Sequence, residues 1–219
     1  MDNYSISIIQ AATVFALPVI FAITLHEAAH GYVARLLGDN TAYMMGRVSC
    51  NPVQHIDLIW TIVIPIATYF FTGGKFIFGC AKPVPVTFSN LNHPRWGGLL
   101  VALAGPACNF VQAFVWGVLA VLIFPALGIN ESFFIQMANA GISINLVFGV
   151  FNLFPLPPLD GGRILSIFLP LRQAIVLSYI ESYSLIILMI LTILGTINQF
   201  WINPLVSLCY KVMNIILTF

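Results

Sequence analysis

Three long stretches of this 219-residue chain carry no charged side chain, and they limit what the chain can fold into. They cover residues 6–25, 97–127 and 132–154, and a fourth stretch, 174–197, has Glu181 as its one charged residue. About 20 consecutive apolar residues are enough to cross the hydrocarbon core of a bilayer as a helix. Because each stretch is continuous rather than alternating, the pattern indicates membrane helices and excludes a transmembrane barrel.

The composition supports an integral membrane protein. Charged residues make up 7% of the chain and hydrophobic residues 60%, whereas soluble domains carry about 25% charged residues. The net charge of +1 gives no sign of nucleic-acid binding. We therefore expect one all-α, polytopic membrane domain over residues 1–219, with about five to six membrane helices. Residues 201–219 are apolar around Lys211, and the sequence leaves open whether they span or lie at the interface.

The four cysteines are scattered and form no C-x-x-C pair, so they predict neither a disulfide framework nor a zinc ribbon. They are Cys50, Cys80, Cys108 and Cys209.

The sequence H-E-x-x-H occupies residues 26–30, at the end of the first apolar stretch. On a helix, His26 and His30 lie one turn apart on one face, where both imidazoles can reach a single zinc ion. Glu27 lies beside them and can act as a general base on water without being a ligand. The alternative is a chance match at a helix end. We expect this helix to continue to residue 37, with Gly38 as its C-terminal stop.

Two loop segments predict a small β-strand cap. Residues 44–54 have no helical period and are typical of a short strand and turn. In residues 76–88, Pro83 and Pro85 place both missing N–H groups on one edge, which indicates an edge strand. Val84 and Val86 on this edge are candidates for binding an extended substrate by strand addition, and a merely blunted edge is the alternative.

Residues 58–71 are apolar but short for a span, and Pro65 interrupts them. We expect a partly inserted, re-entrant segment.

A catalytic zinc needs a third protein ligand, and Asp160 is the candidate. The span 132–154 ends in a run with three prolines in four residues, which stops the helix and leaves Asp160 just beyond its broken end. Most of the other acidic residues lie in termini, turns or loop-facing helix ends. His55 and His93 are expected to be surface or capping histidines.

These segments resemble the site-2 protease family of intramembrane zinc metalloproteases. Residues 26–30 match the family's zinc motif, and residues 152–161 match its second signature, whose aspartate is the third ligand. Residues 105–109 match a further common pattern. Residues 46–57 and 81–86 resemble compact prokaryotic members without a PDZ or CBS domain.

The resemblance implies a zinc metalloendopeptidase that hydrolyses peptide bonds within or near transmembrane segments, in regulated proteolysis or in membrane-protein turnover. His26, His30 and Asp160 would hold one Zn²⁺ per chain, with Glu27 as the base. Asn152 is a candidate oxyanion donor or substrate-backbone contact, with helix packing as its alternative role. The expected substrate is a single-span membrane protein or peptide in the lipid bilayer. The oligomeric state is open.

Two other classes of function remain: a membrane metal transporter and a non-catalytic membrane scaffold. A transporter would spread its ligands along a pathway and would not need Glu27. The complete set of His, Glu, His and Asp argues against a scaffold.

The charges predict a topology. If residues 58–71 do not cross, both ends of the zinc site fall on one side, together with seven of the cations: Arg35, Arg47, Lys75, Lys82, Arg95, Arg163 and Arg172. The 128–131 turn on the other side has no Lys or Arg. By the positive-inside rule, we expect a prokaryotic cytoplasmic membrane with the active site towards the cytoplasm.

Overall fold

The computed structural model describes residues 3–71, 79 and 81–217. The helices begin with α1 (Asn3–Leu36), which carries the H-E-x-x-H motif well inside its length, and the short α2 (Thr41–Met44). A π-helical turn, Leu58–Val63, leads into α3 (Ile64–Phe71). The remaining helices are α4 (Pro94–Ala126), α5 (Ser132–Asn152), α6 (Asp160–Phe168), α7 (Leu171–Ile193) and α8 (Asn198–Leu217).

Five of these helices are long and apolar enough to cross a membrane: α1 from residue 13, α4, α5, α7 and α8. This confirms the all-α polytopic prediction. The final apolar stretch, which the sequence left undecided, forms α8 and is one of the five. Gly38 follows the end of α1 with a φ of +107°, a left-handed conformation that suits glycine at a helix C-terminus.

Helices α1, α4 and α5 pack around one another and form the centre of the fold. Small residues permit their close approach: a Cβ added at Gly141 of α5 would lie 2.4 Å from the ring of Trp116 on α4. A buried cluster around Ile142, Leu146 and Trp116 extends to Met213 and Leu217 of α8. The three central helices therefore set the positions of side chains that point between them.

The predicted β-strand cap is not found in the part of the chain that the structure describes. Residues 44–54 instead contain the end of α2, a loop and most of a 3₁₀ turn, Pro52–His55, at whose start the Asn51 side chain accepts a hydrogen bond from the N–H of Val53. Residues 81–87 have no strand partner, because their N–H groups bond elsewhere: Val84 to Glu27, and Thr87 to Asp39. Residues 76–78 and 80 of that prediction lie outside the described residues.

The apolar segment before residue 72 is helical and shorter than the five candidate spans. Its re-entrant placement stays a prediction. His55 is not a surface histidine as expected: it is 2% exposed, and its Nε2 lies 2.9 Å from the carbonyl of Ser49, to which it donates.

Candidate metal centre

Helix α1 brings His26 and His30 together as the motif predicts, and α6 adds Asp160. All three side chains are buried. The two Nε2 atoms lie 3.1 Å apart, and each is 3.3 Å from Oδ2 of Asp160. Among the residues that the structure describes, this is the one group of three or more His, Cys, Asp or Glu side chains that could hold a metal ion.

Each imidazole is fixed through its other nitrogen. His30 Nδ1 lies 2.7 Å from the carbonyl oxygen of Val101 on α4, an atom that can only accept. His26 Nδ1 lies 2.6 Å from Oδ1 of Asn109. Both Nδ1 atoms are therefore donors, and both Nε2 atoms of the neutral rings present lone pairs towards Asp160.

The orientation of Asn109 follows from its other contacts. Its Nδ2 donates to the carbonyl of Ala22 at 3.1 Å and to Oδ1 of Asn145 at 2.9 Å. Asn145 in turn donates to the carbonyl of Gly141 at 2.9 Å. Both asparagines are fully buried, so this chain of hydrogen bonds links α1, α4 and α5 and sets the rotamer of His26.

Asp160 is positioned by the tight fit of the start of α6 against the preceding loop. A Cβ at Gly161 would lie 2.2 Å from the carbonyl oxygen of Leu153, and one at Gly162 would lie 2.1 Å from the nitrogen of Pro157. The loop itself packs on α8, where the rings of Phe154 and Trp201 lie 5.5 Å apart, and Trp201 Nε1 also donates to the carbonyl of Val150 near the end of α5 at 2.8 Å. Only glycine after Asp160 allows this approach.

The charge and lone pairs of His26, His30 and Asp160 favour a bound cation. Burial raises the pKa of Asp160, but the two histidines beside it outweigh this effect and hold that pKa well below its usual range, so the side chain is a carboxylate. Asp160 Oδ2 is a buried oxygen with no hydrogen-bond partner. Two nitrogen lone pairs and one anionic oxygen thus converge in a buried space, which is unfavourable unless a cation lies between them.

The spacing of the three atoms fits zinc. Ligand atoms about 2.0–2.1 Å from a tetrahedral zinc ion lie about 3.3–3.4 Å from one another. The observed separations of 3.1–3.3 Å are close to this value. Two histidines and one carboxylate, with a fourth position left for water, are also a ligand set of catalytic zinc sites.

Gly105 on α4 keeps the metal-facing side of the group open. A Cβ at this position would lie 2.3 Å from His30 Nε2 and 2.6 Å from His26 Nε2. Any larger residue would fill the space between the imidazoles.

Glu27 is half-buried, and its carboxylate is not among the converging atoms. Its Oε2 accepts a hydrogen bond at 2.9 Å from the backbone N–H of Val84. Val84 is buried, and Val86 packs against Ala34, Leu91 and Val101. Asn152 Nδ2 donates to the carbonyl of Phe148 in its own helix at 3.0 Å.

The sequence pointed to the three converging side chains but not to the contact of Asn109 with His26. Asn109 and Asn145 were both visible as polar residues within uncharged stretches, which in a membrane are expected to bond to neighbours. Their spacing alone does not show that one of them reaches His26.

Comparisons with known proteins agree with this chemistry. The model of the family described as "Peptidase family M50" matches residues 127–195, which include Asn152 and Asp160. "Putative zinc metalloprotease YwhC" of Bacillus subtilis (strain 168) is 35% identical over 195 residues, 87% of this chain and 85% of that protein. "Putative zinc metalloprotease MJ0611" of Methanocaldococcus jannaschii is 27% identical over 172 residues, 75% of this chain and 82% of that protein. No solved structure matches the chain.

Proposed function

The chain belongs to peptidase family M50, the site-2 protease family, and we propose that it is an intramembrane zinc metalloendopeptidase. Its substrates would be single-span membrane proteins or peptides, cut within or near their transmembrane segments. The observation that carries the proposal is the buried convergence of His26, His30 and Asp160 beside Glu27, within a bundle of apolar helices long enough to cross a membrane.

His26, His30 and Asp160 would hold one zinc ion. When bound, zinc would polarise the scissile carbonyl and lower the pKa of a water molecule to about 7. Glu27 would take the proton from that water and deliver it to the leaving amine. The hydrogen bond from Val84 to one carboxylate oxygen holds Glu27 in place while its other oxygen stays available for the proton.

The substrate has to be locally unwound, because a helix hides its amide groups in intrahelical bonds. Val84 and Val86 lie on an extended segment that can receive such a strand. Since the N–H of Val84 is bonded to Glu27, the contacts to the substrate would come mainly from the carbonyl groups of this segment. Asn152 stays our candidate for an oxyanion donor, which requires its amide to leave the carbonyl of Phe148.

The charges support the proposed orientation. With α1, α4, α5, α7 and α8 crossing and residues 58–71 not crossing, all eight Lys and Arg residues fall at the same membrane face. Lys211 joins the other seven, since it lies near the end of α8 that returns to that face. This charge bias supports a prokaryotic cytoplasmic membrane, with the metal group opening towards the cytoplasm.

The decisive experiment is reconstitution of the full chain with zinc and a panel of tagged single-span membrane proteins. The wild type should release a shorter tagged fragment, and a chelator should stop this. Glu27→Gln should release none yet retain zinc, because Glu27 is a base and not a ligand. Glu131→Gln, a matched carboxylate change at the N-terminal end of α5, should cleave as the wild type does.

Continued cleavage by Glu27→Gln would refute the role of the base. Zinc uptake into vesicles that depends on His26, without cleavage of any substrate, would favour the transporter alternative. A protein that binds no zinc at all would favour the scaffold.

A further inference from the structure

Three buried polar residues outside the metal group lie on the connection after α1. They are Asp39, Arg47 and His55, which are 0%, 9% and 2% exposed. The proposed reaction uses none of them. Burying such groups is costly unless they are bonded, so their partners matter. Asp39 and Arg47 contact one segment, residues 82–87, through their side chains, and His55 contacts it through its backbone carbonyl. We call this segment the strap.

The strap is tethered at both ends. At its start, the N–H of Lys82 donates to the backbone carbonyl of His55 at 2.9 Å, and the Arg47 guanidinium lies 3.5 Å from the carbonyl of Pro83. At its end, the N–H of Thr87 donates to Oδ2 of Asp39 at 2.7 Å.

Asp39 is the strongest tether because it collects several donors. Its Oδ1 also accepts from the N–H of Thr41 at 3.0 Å and from Nδ2 of Asn90 at 3.2 Å. Burial alone would raise the pKa of Asp39, but the hydrogen bonds from Thr41, Thr87 and Asn90 outweigh it and lower that pKa. Asp39 therefore holds the strap as an anion, with charge-assisted bonds.

The middle of the strap contacts the proposed base. Pro83 and Pro85 have no N–H, so Val84 is the one backbone donor between Lys82 and Val86. That donor points at Oε2 of Glu27, at 2.9 Å. The flanking prolines favour extended backbone, which keeps this N–H in place.

We propose that Asp39, Arg47 and His55 are positioning residues that act on Glu27 through the strap. They hold residues 82–87 across α1 so that the Val84 N–H fixes one carboxylate oxygen of Glu27. The effect on turnover rests on the proposed function, whereas the tethering of the strap does not.

The first test measures the strap directly and needs no activity. Amide hydrogen exchange of residues 82–88 is followed by mass spectrometry in the purified full chain. In Asp39→Asn these amides should exchange about tenfold faster than in the wild type, because the Thr87 N–H loses a charged acceptor. Thr87→Pro breaks the same tether from the other side and replaces Asp39→Asn if that variant does not fold.

The matched control is Asn51→Ala in the same loop. It removes a hydrogen bond from the N–H of Val53 at 3.1 Å and touches none of the three tethers. Its strap amides should exchange at the wild-type rate.

The second test is a double-mutant cycle on turnover. Val84→Pro removes the N–H that bonds Glu27 and suits the extended backbone before Pro85. Asp39→Asn and Val84→Pro should each lower kcat about tenfold with zinc content unchanged. If both substitutions act through one contact, the double variant should also show about a tenfold reduction in kcat. Independent changes would multiply to a reduction of roughly a hundredfold.

Unchanged strap exchange in Asp39→Asn, or multiplied losses in the double variant, would overturn the proposal. If the wild type cleaves no substrate but the strap amides still exchange faster in Asp39→Asn, the proposed function is refuted and the tethering of the strap stands.

Discussion

His26 Nδ1 lies 2.6 Å from Oδ1 of Asn109, a residue on the neighbouring membrane helix. The asparagine cannot turn its amide group over, because its Nδ2 is bonded to Ala22 and Asn145. The histidine is therefore held in the tautomer that leaves Nε2 free for a metal. A buried amide in an apolar helix is costly unless all its groups are paired, and here they are.

Asn109→Ala should weaken zinc binding about 10- to 100-fold, because partners of metal-bound histidines have effects of this size. Titration of the purified apoprotein with zinc, against a competing chelator, measures the change. Asn152→Ala is the control, since that amide bonds within its own helix, and its zinc affinity should stay at the wild-type value. Equal affinity losses in both variants would contradict a specific role for Asn109.

Gly105→Ala should abolish zinc binding while the helices still assemble. The added methyl would lie 2.3 Å from His30 Nε2, far inside normal contact, and both imidazoles would have to move. Gly97→Ala, on the same helix, places its methyl 3.3 Å from the Leu91 side chain, which can shift slightly. Stoichiometric zinc in purified Gly105→Ala would show that the group tolerates the displacement.

The convergence of His26, His30 and Asp160 was predictable from the sequence because it rests on local rules. A helix places residues four apart on one face, and a proline run after a span marks where a polar residue can re-enter the bundle. Four apolar stretches were predicted as membrane helices from their length and near-absence of charge, and each contributes to a helix long and apolar enough to cross a membrane, whereas the fifth such helix, α8, had been left open.

The cap was not predictable in the same way. The lack of a helical period in residues 44–54 and the proline spacing in residues 76–88 suggested strands, but a strand exists only if its N–H groups find a second strand. In the described part of the cap, the N–H groups of Val84 and Thr87 bond to the carboxylates of Glu27 and Asp39 instead, and that of Lys82 bonds to the carbonyl of His55 in a 3₁₀ turn. Such long-range pairing of backbone with buried side chains leaves no periodic signal in the sequence. His55, expected as a surface or capping histidine, is buried but lies outside the metal group, as that expectation required.

Asp160→Asn should weaken zinc binding at neutral pH, because an uncharged amide replaces the one anionic ligand. The zinc content of the purified variant, measured by mass spectrometry of the metal, should fall well below that of the wild type. His55→Ala is the informative comparison, since that imidazole is buried but lies outside the converging group. Retention of zinc by Asp160→Asn together with its loss in His55→Ala would mean that the ligand set is wrong.

The last prediction is that residues 58–71 do not cross the membrane. The segment is a π-helical turn of 6 residues followed by 8 α-helical residues. At 1.5 Å per residue, these 14 residues extend roughly 21 Å, against a hydrocarbon core of about 30 Å.

The number of membrane crossings between the two halves of the metal group gives a second reason. His26 and Asp160 meet in one group, which requires the end of α1 and the end of α5 to lie on the same side. With α4 and α5 crossing between them, another crossing would separate these ends.

Cysteine labelling in intact cells tests this topology, on a background in which Cys50, Cys80, Cys108 and Cys209 are replaced. A cysteine at position 130, in the turn before α5, should react with a membrane-impermeant reagent from outside. Cysteines at positions 40 and 82, both exposed in the fold, should react only after the membrane is permeabilised, because the proposed topology places them at the cytoplasmic face. If position 82 reacts from outside while position 40 does not, residues 58–71 cross the membrane. The end of α1 and Asp160 would then lie on opposite sides and could not form one metal group.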